Sequence, residues 1–118
     1  MVRKKVLLIE DNQDICEIVK WVLEENGCDI TVTKHVPAAD LSRFKADLIV
    51  LDEWVNNSEG HMLCKEIKAI HDLKHIPVVI FSTAIDIEEL MQTCGAEGYV
   101  RKPFDIGDLL VEVNRLLA

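Results

Sequence analysis

Residues 46–52, Ala-Asp-Leu-Ile-Val-Leu-Asp, contain a continuous apolar run that stops at an acidic residue, Asp52. Such a run is typical of a β-strand that is covered on both faces, as in a parallel sheet between two layers of helices. It predicts a strand over 46–51. On either side of this segment, further strands are predicted over residues 5–10, 29–33, 76–81 and 98–101.

Apolar residues between these strands recur at helical spacing. The first helix is predicted between an N-cap at Asn12 and a C′ residue at Gly27. A second is predicted over about 37–44, with Pro37 in its first turn. The others are predicted around residues 63–70, 87–94 and 106–117, where the last has the strongest apolar stripe. Strands that alternate with helices in this way predict an α/β fold with right-handed crossovers and a parallel sheet.

The composition agrees with one soluble domain over residues 1–118. The chain is 49% hydrophobic and 29% charged, and its net charge is −8. This charge argues against nucleic acid or an anionic membrane as a direct partner, because phosphate groups are bound by clustered Lys and Arg. No apolar run reaches transmembrane length. The four cysteines are widely spaced, which favours reduced thiols in a cytoplasmic protein over a zinc site or disulfides.

Five polar residues stand where apolar runs end: Glu10, Asp11, Asp52, Ser82 and Lys102. Ligands bind outside the carboxyl ends of parallel strands, so these residues are expected at one edge of the sheet. Three carboxylates there repel one another unless a cation neutralises them. An all-oxygen set of this kind suits Mg²⁺. With the hydroxyl and the ammonium, the set predicts a site for Mg²⁺ and a phosphoryl group.

Four segments in this order resemble the receiver domain of two-component response regulators, of the chemotaxis-receiver type. They are Val6 to Asn12, Asp47 to Asp52 with Gly60, Ile76 to Ser82, and Gly95 to Phe104. The similarity covers essentially the whole chain. It implies a flavodoxin-like (βα)5 three-layer sandwich with a five-stranded parallel sheet in the order 2-1-3-4-5 and helices on both faces.

The resemblance also implies roles for individual residues. Asp52 would accept a phosphoryl group from a sensor histidine kinase or a phosphotransfer protein, and Lys102 would pair with Asp52 and later with the phosphoryl group. Asp11 and Asp52 would bind Mg²⁺ directly, Glu10 through water, and Trp54 through its backbone carbonyl. The domain would catalyse only its own phosphorylation and dephosphorylation, so it is not expected to be an enzyme acting on other substrates.

The resemblance further implies a conformational switch. Ser82 would hydrogen-bond a phosphoryl oxygen and move inward, and the ring of Tyr99 would turn inward with it. This population shift would change the face formed by the fourth predicted helix, the fifth strand and the fifth helix, where a downstream protein or an output domain would bind. A phosphorylation-dependent homodimer stays open.

The chain departs from the family pattern at several positions. Asn56 stands where the loop after the phosphoacceptor usually has a proline, and Thr83 replaces a small residue and competes with Ser82 as the site hydroxyl. Trp54 and Ala84 offer no amide or carboxylate to orient a hydrolytic water, which predicts slow self-dephosphorylation.

Other classes of protein fit the sequence less well. An aspartate-nucleophile phosphatase would need a second acid at the position of Trp54. A flavin carrier would find the acidic stretch after the first strand repulsive to its phosphate. A regulatory domain cut from a longer regulator and a receiver that works without phosphorylation stay open.

Overall fold

Five strands form one parallel sheet. The computed structural model describes residues 3–10, 12–34, 37–52, 60–82, 92, 94–101 and 106–117. The strands are β1 (Lys4–Ile9), β2 (Cys28–Thr33), β3 (Leu48–Asp52), β4 (Val78–Ser82) and β5 (Gly98–Arg101). Their order is β2-β1-β3-β4-β5, and every pair is parallel. The predicted fold class and sheet order are confirmed.

Among the described residues, two α-helices and one 3-10 helix lie between strands, and a further α-helix follows β5. The α-helices are α1 (Gln13–Glu25), α2 (Gly60–Ala69) and α3 (Ile106–Leu117), and the 3-10 helix is Ala38–Phe44. The predicted helix around residues 87–94 lies largely outside the described residues, as does the stretch from residue 83 onward that would lead into it.

The ends of α1 follow the sequence prediction. Asn12 is the N-cap, and its side-chain Oδ1 accepts a hydrogen bond from the backbone N of Ile15 at 3.1 Å. This bond satisfies one of the amides that the first turn leaves without an intrahelical partner. After the C-cap Asn26, Gly27 takes a φ of 90°, a left-handed conformation that costs glycine little. Both predicted caps of this helix are therefore confirmed.

The second predicted helix forms as a 3-10 helix rather than an α-helix. Its buried residues are Ala38 and Leu41, which stand three apart and therefore share one side of a helix with three residues per turn. Pro37 is the N-cap with extended backbone (ψ 141°), so the predicted placement of this proline in the first turn is wrong by one position. The helix ends at Lys45, which adopts φ 50°.

Alternate strand residues pack into two apolar layers, one on each side of the sheet, because successive side chains point to opposite faces. One layer joins the sheet to α2 and the 3-10 helix, and its buried members include Leu7, Ile9, Ile49, Leu51, Leu63, Ile67 and Ile80. The other joins the sheet to α1 and α3, and its buried members include Val6, Leu8, Val19, Leu23, Phe81, Leu109 and Val113. The two layers make the sheet the middle of a three-layer sandwich.

The four cysteines are free thiols. Cys28, Cys64 and Cys94 are buried and Cys16 is half-buried. Burial raises the pKa of the Cys28 thiol, and a hydrogen bond with Cys94 together with burial raises the pKa of Cys64 far more strongly. These thiols stay protonated at neutral pH, which agrees with the prediction of reduced, unreactive cysteines. Within the described ranges, no helix has the length and apolar character needed to cross a membrane.

Candidate functional site

The carboxyl ends of the central strands meet at one edge of the sheet. Ile9 lies beside Leu51 in the β1–β3 register, so the next residues along these two strands are Glu10 and Asp52. Asp52 in turn lies beside Phe81, the residue before Ser82. The backbone positions of Glu10, Asp52 and Ser82 therefore follow one another across three adjacent strands. This edge is where ligands bind in open parallel sheets.

Glu10 is a buried acid at this edge, with 5% of its surface exposed. Its backbone N donates to the carbonyl of Thr33 at 3.1 Å, which fixes the chain just past β1. Its carboxylate Oε1 accepts a hydrogen bond from the backbone N of Asn12 at 3.0 Å. Burying a carboxylate costs several kcal/mol unless other groups or a cation compensate the charge. A buried acid among strand ends is therefore a candidate ligand for a cation.

Asn12 has a second role that the sequence prediction missed. Its side chain caps α1 while its backbone N holds the Glu10 carboxylate, so the helix start and the acid are fixed together. The Cys16 thiol, one turn into α1, donates to the carbonyl of Glu10 at 3.5 Å. The sequence signal for this arrangement is the spacing itself, since an N-cap two residues after a strand-end acid brings its own amide within reach of that acid.

The other predicted site residues are described in part or not at all. For Asp52 and Ser82 the structure describes the backbone, at the ends of β3 and β4. Asp11, Trp54 and Lys102 lie outside the described residues, as do Asn56, Thr83 and Ala84. Arg101 lies beside Ser82 in the β4–β5 register, so the described part of β5 ends at the same edge of the sheet.

Tyr99, the predicted switch aromatic, is half-buried on β5 beside Ile80 of β4. It lines a surface groove with Val100 and with Asp108, Val111 and Glu112 of α3. This groove is part of the surface on which partner binding was predicted. In the part of the chain that the structure describes, no three His, Cys, Asp or Glu side chains form a metal-binding group. The predicted metal set draws on residues beyond those ranges.

The whole pattern matches a known family. The model of the response regulator receiver domain matches residues 6–114, and the chain belongs to this family. It is thus a receiver domain of the kind found in two-component response regulators. The order of strands and the buried acid after β1 are the structural counterparts of that match.

Individual relatives and solved structures support the same family. The nisin biosynthesis regulatory protein NisR of Lactococcus lactis is 30% identical over 93% of this chain and 48% of its own length. The signal receiver domain of a histidine kinase from Syntrophus aciditrophicus is 28% identical, with a TM-score of 0.82 over 97% of this chain and 89% of that chain. The receiver domain of the sensor histidine kinase PA1611 from Pseudomonas aeruginosa, with magnesium coordinated in its active site cleft, shares the fold at 21% identity. Its TM-score is 0.85 over 98% of each chain.

The chain spans about half the length of the curated relatives that it matches. The kinship therefore covers the receiver part of those proteins, which is the part that residues 6–114 match.

Proposed function

We propose that residues 1–118 form one receiver domain of a phosphorelay and that Asp52 is its phosphoacceptor. The observation that carries the proposal is the sheet register, which brings the backbone of Glu10, Asp52 and Ser82 to neighbouring positions at the carboxyl edge. Membership of the receiver family supports the same assignment. The phosphoryl donor would be a sensor histidine kinase or a phosphotransfer protein.

The proposed chemistry is a direct phosphoryl transfer. A carboxylate oxygen of Asp52 attacks the phosphorus of a phosphohistidine, and the P–N bond breaks as the new P–O bond forms. The electron pair of the broken bond stays on the imidazole. The ammonium of Lys102 would pair with the phosphoryl oxygens, and the hydroxyl of Ser82 would donate to one of them. The domain would act on no other substrate.

The donor set fits a magnesium ion. Glu10 is an oxygen donor held at the site while almost fully buried, and Mg²⁺ prefers oxygen ligands and retains several of its waters. Asp11, Asp52 and the backbone carbonyl of Trp54 would bind the ion, with Glu10 acting through water. When bound, Mg²⁺ neutralises charge on the phosphoryl oxygens. The magnesium in the Pseudomonas receiver domain supports this choice of ion.

Phosphorylation would act on partners through the surface around Tyr99. Tyr99 lies beside Ile80 in the β4–β5 register, and Ile80 is two residues before Ser82, so a shift of Ser82 would reach Tyr99 through adjacent strands. The groove of Tyr99, Asp108 and Val111 would be remodelled by such a shift. A downstream protein or an output domain would bind there, in the cytoplasm, without this domain touching nucleic acid or membrane. The net charge of −8 supports the last point.

The test is the intact mass of the protein after incubation with acetyl phosphate and Mg²⁺. We expect one phosphoryl adduct, absent from Asp52→Asn and absent when the metal is chelated. Asp40→Asn removes an exposed acid of the 3-10 helix and is the matched control, which should still form the adduct. An adduct that persists in Asp52→Asn would overturn the assignment of the phosphoacceptor, and no adduct in the unchanged protein would overturn the proposed function.

The same preparation tests the lifetime of the phosphoryl group. Neither Trp54 nor Ala84 has a side-chain amide or carboxylate to orient water for hydrolysis, so we expect the adduct to decay slowly. The loss of adduct mass with time, after acetyl phosphate is removed, measures this directly. A lifetime of seconds would contradict the argument from these two residues.

A further inference from the structure

The outer side of β2 forms one of the two edges of the sheet. The other edge is β5, which has four residues, whereas β2 has six. The sequence of β2, Cys-Asp-Ile-Thr-Val-Thr, is rich in β-branched residues. It contains no proline or lysine, which are residues that commonly protect an edge strand from pairing with another strand. The β2 edge is therefore suited to accept a further strand.

The register shows which backbone groups of β2 point outward. The carbonyl of Thr33 accepts from the backbone N of Glu10, so Thr33 faces β1. The N–H and C=O groups of successive strand residues point to opposite edges. Thr31 therefore also faces β1, whereas Ile30 and Val32 face away from it. Among the described residues, no hydrogen bond reaches the outward backbone groups of Ile30 or Val32.

Side chains close this outward-facing stretch at both of its ends. At the start of β2, Arg3 donates from Nη2 to the carbonyl of Cys28 at 2.9 Å, and its Nε pairs with Asp29 at 3.3 Å. Past the end of β2, the hydroxyl of Thr33 donates to the carbonyl of Lys34 at 3.2 Å. The edge that can accept a strand is thereby limited to the outward residues between these points. The ion pair also compensates the one acid of the strand.

We propose that the β2 edges of two copies of this chain pair antiparallel about a two-fold axis at Thr31. Ile30 of one copy would then lie opposite Val32 of the other, and each such pair would exchange two backbone hydrogen bonds. Ile30 packs on the apolar layer of α1 and α3, and Val32 points to the same face of the sheet and is 39% exposed. The apolar pairs would therefore cover surface that a single chain leaves in water.

The groups at the ends of the edge select this register. The neighbouring registers, centred on Ile30 or on Val32, would call on the carbonyl of Cys28 or of Lys34, which are already bonded within the chain. The register about Thr31 uses only the remaining groups.

The same register favours a second copy as the occupant. Asp29 would lie opposite Thr33, so like charges would not face one another across the pair. An extended segment of another protein would find no uncompensated charge on the strand to select it, whereas a second copy supplies an apolar β-branched partner at both positions. The net charge of −8 on each chain opposes association, so the pairing should be weak and should strengthen as salt screens the repulsion.

The first test follows backbone amides of the unchanged, isotope-labelled protein by NMR as its concentration rises from about 0.05 mM to about 1 mM in about 0.3 M NaCl. We expect the amides of Ile30 and Val32 to exchange severalfold more slowly with solvent at the high concentration. The Thr31 amide, which faces β1, should keep its exchange rate. Sedimentation equilibrium should show a dimer under the same conditions. No phosphoryl donor is added, so the outcome does not depend on the proposed phosphotransfer.

The second test removes one outward donor. Val32→Pro deletes the N–H that faces away from β1 and leaves the donors of the β1–β2 ladder in place. We expect it to weaken dimerisation by about tenfold or more, since the two-fold axis repeats the loss in both copies. Val32→Thr keeps the N–H and the branched shape, and as the matched control it should weaken dimerisation by less than about threefold. Circular dichroism checks that both variants are folded.

Three outcomes would overturn the proposal. The first is a chain that stays monomeric over the whole range, which would leave the edge to an extended segment of another protein. The second is a dimer in which the exchange rates of Ile30 and Val32 do not change, which would place the contact on another surface. The third is a dimer that Val32→Pro weakens no more than Val32→Thr does. The first two are measured on the unchanged protein, so they decide the matter even where Val32→Pro does not fold.

Discussion

Lys68 of α2 ties together three parts of the fold at the amino end of the sheet. Its Nζ donates to Glu97 Oε2 at 2.7 Å, to the carbonyl of Ile76 at 2.7 Å and to that of Lys74 at 3.2 Å. The Glu97 carboxylate also accepts from the backbone N of Val78 at 2.8 Å. The ion pair therefore connects the end of α2 to the starts of β4 and β5. We predict that Lys68→Met destabilises the domain, because Met keeps an unbranched apolar stem but removes the charge and the three donated hydrogen bonds.

The expected cost follows from the burial of the two charges. The Lys68 side chain is 15% exposed and that of Glu97 is 38% exposed, so the pair stands between the surface and buried extremes. Exposed pairs are worth about 0–1 kcal/mol and broken buried pairs cost about 3–5 kcal/mol. Because Glu97 is partly solvated, we expect Lys68→Met to lower the free energy of unfolding by about 2 kcal/mol. For a domain of this size, that loss corresponds to a fall in Tm of about 8 °C.

Urea unfolding followed by circular dichroism measures this free energy. Glu97→Gln should cost less, about 1 kcal/mol, because an amide oxygen can still accept from Val78. The double variant should lose less stability than the sum of the losses of the two single variants. The difference, which is the coupling free energy between Lys68 and Glu97, should be about 1 kcal/mol. Asp29→Asn is the control, since the Arg3–Asp29 pair is 51% and 60% exposed and should contribute under about 0.5 kcal/mol. If Lys68→Met costs no more than Asp29→Asn, the pair is effectively solvated and the reasoning from burial is refuted.

Three further predictions concern single positions. Asn12→Ala should lower stability by about 1 kcal/mol through loss of the N-cap, whereas Asn12→Ser should keep most of it; urea unfolding of both variants checks this, and equal losses would exclude the capping bond as the cause. Lys45→Gly should raise the unfolding free energy by up to about 1 kcal/mol by relieving the left-handed backbone at φ 50°, and a loss in thermal unfolding would contradict it. The raised pKa of Cys64 means that the unfolded chain loses the thiol proton first, so stability should fall as pH rises above about 8.5. Thermal unfolding between pH 7 and 10 should show a flatter pH dependence in Cys64→Ala, and an unchanged slope would count against it.

The fold was predictable because its decisive signals are local and strong. The apolar run before Asp52 is short and typical of a strand covered on both faces, and no strand limit departs from its predicted position by more than two residues. The caps of α1 were predictable for the same reason, since Asn12 and Gly27 each have a conformational preference that suits one end of a helix. The order of the strands came from the family resemblance, because periodicity alone does not specify which strands pair.

The parts that sequence could not supply depend on tertiary contacts. The stretch after Pro37 was predicted as an ordinary helix, but it forms a 3-10 helix whose fully buried residues, Ala38 and Leu41, are three apart. The contact between the Lys68 ammonium and Glu97 joins residues 29 apart in the chain, and nothing in either local pattern announces it. The second role of Asn12 differs, because its two-residue spacing from Glu10 is visible in the sequence although the hydrogen bond from its backbone amide to that carboxylate was not predicted.

Glu10 illustrates how a residue that weakens a fold can indicate function. It is an acid placed where burial penalises its charge, and its position at the sheet edge is what makes a cation a natural counterpart. In a domain whose net stability is only about 5–15 kcal/mol, such a cost is noticeable. The cost therefore directs attention to a ligand of opposite charge, and the oxygen donors proposed around Glu10 make a divalent cation the ligand that fits.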